Sequence, residues 1–99
     1  MWYSFVCHDA PDSLPLRRRV RAQHLLRVEE LKQRGRLLVA GPNPAIDATD
    51  PGEAGFSGSL VIAEFDCLAD AEAWVAEDPY VLAGVWTSVE VKPFIKVLP

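Results

Sequence analysis

The sequence is short of most signals that mark a familiar chemistry. Its 99 residues contain two cysteines, Cys7 and Cys67, far apart and with no CxxC. That argues against a zinc ribbon or a thioredoxin-type redox pair. Reduced thiols are the simplest account of both. No apolar run approaches the ~20 residues of a membrane span. The opening MWYSFVCHD lacks a basic n-region and a small-residue cleavage site, so no signal peptide is expected and the expected location is cytoplasmic. There is no GxSxG elbow and no glycine-rich phosphate cradle. With only two histidines, the adjacent His8 and Asp9 lack companions for a metal site. Asp47, Asp50 and Glu53 lack the spacing of a calcium loop and read as a solvated acidic loop. No metal and no cofactor are expected. A net charge of −4 argues against a nucleic-acid partner. No membrane partner is indicated either.

What remains is enough for one domain, residues 1–99, with 49% apolar residues available for one core. WYSFVC (2–7) is aromatic and β-branched and reads as a strand. HDAPDS (8–13) is a turn-rich loop in which Asp12 or Ser13 can cap a helix and Pro15 is tolerated in the first turn. The helix runs to about Gly35, a natural left-handed stop. RLLVAGP (36–42) and GSLVIAEF (58–65) are the next strands, and the near-continuous apolar run of the latter predicts cover on both faces. Between them lies a long loop rich in Pro, Gly, Asn and Asp. LADAEAWVAED (68–78) is a short helix broken at Asp78-Pro79. VWTSVEVKPF (85–94) is the last strand, in which alternation sets Val85 and Thr87 on one face and Trp86 and Ser88 on the other.

The order strand, helix, strand, strand, helix, strand predicts an α+β, ferredoxin-like βαββαβ domain. Its four-stranded antiparallel sheet carries two helices on one face. The other face is then bare, and the apolar third strand together with Trp86 makes it partly hydrophobic. Such a face marks an interface, and a homodimer through the open sheet face, a dimeric α/β barrel, is expected. Cys7 and Cys67 then fall at opposite ends of the sheet, beyond disulfide reach.

Within the first helix, Leu16, Val20, Val28 and Leu31 recur at helical spacing, and His24 sits four residues from both Val20 and Val28. It therefore faces inward. Three readings are open: a packed core residue, a metal ligand, or a proton carrier. Arg17, Arg18, Arg19, Arg21 and Arg27 share this helix. They are either a solvated face or a set from which one or two members reach an anion.

HDAPDSLPLRRRVRAQHL, the strand end AGP, and DPYVLAGV with the later VKPF together resemble the YciI-like (YCII-related) family over nearly the full chain. The resemblance implies a ferredoxin-like, dimeric α/β-barrel architecture. It also implies a cleft lined by a histidine and an aspartate, which map onto His24 and Asp78, and a recurrent aspartate that maps onto Asp9. It supplies no substrate.

Those residues suit acid–base chemistry. An inward histidine transfers protons if a carboxylate fixes its tautomer, and Asp78, in a Pro-containing break, is the best such carboxylate. Contact requires the 78–84 segment to fold back along the first helix, because His24 lies about 16 Å from the helix start. Arg17 or Arg21 could bind a carboxylate or phenolate. Tyr80 could donate a hydrogen bond, the Gly84 amide could approach a ligand closely, and Ser59 is a further possible contact. Each has a plainer reading: a helix-terminating turn for Asp78, packing for Tyr80, a strand-edge serine for Ser59.

The expectation is an enzyme acting on a small, anionic organic molecule by proton transfer, as a lyase, isomerase or hydrolase. The alternative is a non-catalytic small-ligand-binding or dimerisation module built on the same pocket.

Overall fold

The computed structural model describes residues 1–99. The elements are β1 (Trp2–Asp9), α1 (Leu14–Gln33), β2 (Leu37–Pro44), a 3-10 turn (Gly52–Ala54), β3 (Phe56–Glu64), α2 (Leu68–Ala76), α3 (Pro79–Leu82) and β4 (Trp86–Phe94). The strands form one antiparallel sheet in the order β2-β3-β1-β4. This is the ferredoxin-like α+β fold, the fold class of the dimeric α/β-barrel proteins.

The pleat sorts the side chains. Tyr3, Phe5 and Cys7 of β1 point to one face, opposite Ala63, Val61 and Ser59 of β3, and all six are buried. The helices cover that face. Phe5 meets Phe65 and Trp74 edge-on, with ring centroids 5.8 and 5.4 Å away. Gly58 is obligatory in this packing: a Cβ there would sit on the carbonyl oxygen of Cys7.

The far face has no helix. Val6, Leu60 and Val39 are 38, 38 and 48% exposed there, so β3 is not covered on both sides within the chain. Trp86 is not on this face, contrary to its place in the alternation. The β1–β4 register shifts between His8 and Asp9, which sets Trp86 opposite Asp9 and turns its side chain toward the helices, where it is buried.

Two further differences are local. The break after α2 is not a loop but a short helix, α3, started by Asp78 and Pro79. The long loop after β2 contains the 3-10 turn and is shorter than its composition predicts, because β2 reaches Pro44 and β3 begins at Phe56. Both cysteines are free, and they lie where the topology predicts. Cys7 is buried and pairs in register with Ser59, whereas Cys67 is exposed beyond the other end of β3.

Candidate active site

Local chain chemistry places Asp78 first. The residue before a proline is held extended, and Asp78 has φ −67° and ψ 135°. It is the N-cap of α3, with Pro79 in the first turn, and its Oδ1 accepts from the Tyr80 amide at 2.9 Å. The α2–α3 connection folds this cap back over α1, and the carboxylate there is fully buried.

His24 meets it. The Nδ1 of His24 lies 2.9 Å from Oδ1 and 3.0 Å from Oδ2 of Asp78. A carboxylate at Nδ1 favours a proton on that nitrogen, so that in the neutral ring the lone pair lies at Nε2. No protein group bonds Nε2. The imidazole stacks on Tyr80 at 4.2 Å and meets the edge of Trp86 at 5.3 Å. The ring is thus fixed on its sides and open at one nitrogen.

That opening faces a cavity of about 270 Å³ lined by Arg17, Arg21, His24, Pro42, Ser59 and Tyr80, among others. An apolar cavity of about 150 Å³ holds benzene, so this one has the volume of a substituted single ring. Burial pushes the Tyr80 phenol up from its ordinary value, which keeps it a hydrogen-bond donor.

The two arginines divide their tasks. Arg17 is buried and tied down: Nε reaches Asp9 at 2.8 Å, while Nη2 reaches Gly58 O at 3.0 Å and Ser59 Oγ at 2.7 Å. Its guanidinium lies 4.8 Å from the centroids of both Phe56 and Tyr80. Arg21 is exposed at the cavity rim and joins none of the ion pairs. It is the arginine of the cavity lining that has no carboxylate partner.

The YCII-related domain matches residues 1–95. The chain belongs to the YCII-related family. Protein YciI of Escherichia coli is 56% identical over 97 residues, covering 98% of this chain and 99% of its own length. An uncharacterized protein of Haemophilus influenzae is 55% identical over the same span and coverage. Among solved structures, the 5-chloro-2-hydroxyhydroquinone dehydrochlorinase of Burkholderia phenoliruptrix, in complex with 2,5-dihydroxybenzoquinone, is similar. It superposes with a TM-score of 0.83 at 27% identity, covering 96% of this chain and 94% of that one.

In this YCII-related chain, His24, Asp78, Tyr80, Arg17, Arg21, Ser59 and Asp9 come together, Asp9 through its pair with Arg17. Gly84 does not join them. It does not line the cavity; its amide donates to Val81 O at 3.1 Å and its φ of 81° closes α3. Ser59 faces the cavity but holds Arg17 rather than standing free. Three participants escape a residue-by-residue reading. Arg27, nominally on a solvated face, bonds Asp78. Trp86 buttresses His24, and Phe56 underlies Arg17. The i, i+3 spacing of His24 and Arg27 was the one available signal for the first. No three His, Cys, Asp or Glu side chains cluster as a metal site, and no helix is long and apolar enough to cross a membrane.

Proposed function

We propose that this YCII-related protein is an enzyme that moves a proton on a small, planar, anionic organic molecule, with His24 as base and acid and Asp78 as its orienting partner. The observation that carries the reading is the His24–Asp78 contact behind a free Nε2 that opens into a cavity of single-ring size. Nε2 takes a proton from carbon or hydroxyl of the bound molecule, and Asp78 steadies the imidazolium. The electron pair left behind either expels an anionic leaving group or shifts along the ring to another position, which the same proton then quenches. In the first case the proton leaves to solvent; in the second the reaction is an isomerisation. Arg21 meets the negative charge, and Tyr80 donates to an oxygen of the ring. Likeness to the Burkholderia dehydrochlorinase supports hydroxylated hydroquinones and quinones as the class to test first.

The open sheet face supports a homodimer. Val6, Val39 and Leu60 form an uncovered apolar strip across three strands, with Ile62 beside them. A second copy laid on that strip closes two sheets face to face.

The test is turnover of a panel of chlorinated and unchlorinated hydroxyhydroquinones, followed by quinone absorbance and chloride release. The wild type is expected to turn over at least one member, and H24N to bind it without turnover. Binding without turnover in the wild type would establish the ligand-binding module instead. Turnover surviving in H24N would remove His24 from the chemistry.

A further inference from the structure

The buried carboxylate of Asp78 needs a positive partner, and two groups within reach can provide it. One is His24, by taking up a second proton. The other is Arg27, whose Nη1 lies 3.2 Å from Asp78 Oδ2 and whose charge is permanent. The choice matters, because an imidazolium has no lone pair at Nε2 and cannot act as a base.

We propose that Arg27 is a positioning residue that neutralises Asp78 and thereby holds His24 in its neutral form, protonated at Nδ1 and basic at Nε2. The reading rests on the acid–base role assigned to His24, and it can be tested without a substrate.

Arg27 is fixed independently of the pair it serves. Its Nη2 donates to Trp74 O at 2.6 Å, and its guanidinium lies 4.6 Å over the Trp74 ring. Trp74 O is one of the last carbonyls of α2, and it is open because the Asp78 amide, its ordinary partner, turns to Val75 O instead. Arg27 therefore caps α2 and reaches Asp78 in one conformation. The carboxylate is consequently shared: Oδ2 takes the arginine, Oδ1 takes the Tyr80 amide, and His24 bridges both oxygens.

No other cationic side chain contacts Asp78. On β1, Cys7 is pushed up to about 12 by burial and is a neutral thiol. On α3, Tyr80 is a neutral phenol. On α1, Arg17 is matched by Asp9, and Arg21 stands at the cavity rim. From β4, the uncharged Trp86 packs against His24. With Asp78 matched by Arg27 and Asp9 by Arg17, the pocket carries one unmatched cation, Arg21, which is what an anionic ligand requires.

The experiment is ¹⁵N NMR of the imidazole rings across pH in wild type, R27Q and R27K, with the exposed His8 as internal reference. Wild-type His24 is expected to show the neutral Nδ1–H pattern at neutral pH. In R27Q its crossover to the imidazolium pattern is expected to move to higher pH, with His8 unmoved and R27K restoring most of the shift. Any turnover found should show its acidic limb moving the same way. A R27Q crossover that stays in place overturns the proposal. So does a wild-type His24 that is already imidazolium at neutral pH, a result that needs no variant to fold. Absence of turnover would defeat the proposed enzymatic reading while leaving these spectra to decide the role of Arg27.

Discussion

His24 and Asp78 are 54 positions apart in sequence, yet Nδ1 of the first sits 2.9 and 3.0 Å from the two carboxylate oxygens of the second. The contact exists because a proline-primed cap folds back over α1. Asp78 is thus both the start of a helix and the partner of a histidine, and substitutions can separate the two tasks. Asn caps a helix as well as Asp, so D78N keeps the Tyr80 amide satisfied while removing the charge and the tautomer preference. Turnover is expected to fall by about 10²–10⁴-fold with thermal stability reduced less than in D78A. Steady-state rates and melting curves of the two variants check this.

Arg21 is expected to affect binding and not folding. R21Q should raise KM for an anionic substrate about tenfold, leave the melting temperature unchanged, and flatten the salt dependence of kcat/KM. An unchanged KM would mean that the anion is held elsewhere.

The Arg17–Asp9 pair is buried on both sides. D9N leaves the guanidinium uncompensated and should cost about 3–5 kcal/mol in urea unfolding. R17M, which also loses the bonds to Gly58 and Ser59, should be comparably unstable.

The thiols should behave in opposite ways. Cys67 is exposed and should react with a disulfide reagent in the native protein, whereas Cys7 should react only after unfolding. Burial raises Cys7 from 9.0 to about 12 in the folded chain. The unfolded chain therefore releases this proton first. The stability linked to Cys7 is complete below pH 9 and is lost as pH rises toward 12. Urea midpoints across that range should fall, and C7A should fall less.

The uncovered strip predicts self-association that a charge abolishes. L60E should shift the species seen by light scattering from dimer to monomer while leaving the circular dichroism unchanged. A wild type that is monomeric at micromolar concentration would refute the interface.

Much of this arrangement was legible in the sequence, for physical reasons. Tyr3, Phe5 and Cys7 alternate as a half-buried strand must, and His24 falls into the apolar stripe of α1 between Val20 and Val28, so element order and an inward histidine followed from periodicity alone. The family resemblance added Asp78 as its partner. What was not legible depends on tertiary register. A one-residue shift at His8–Asp9 reverses Trp86, and no local pattern announces it. Arg27 looks like its solvated neighbours until α2 supplies the Trp74 carbonyl that orients it. Gly84 looked like a ligand contact because glycine permits close approach, yet here the same freedom only closes a turn.

The two outermost strands carry a consequence for how the molecule avoids polymerising. Pro42 and Pro44 lie in β2, and Pro93 lies in β4. A proline has no amide hydrogen, so both margins of the sheet are poor templates for an added strand. Growth into filaments by edge-to-edge pairing is therefore disfavoured at both sides.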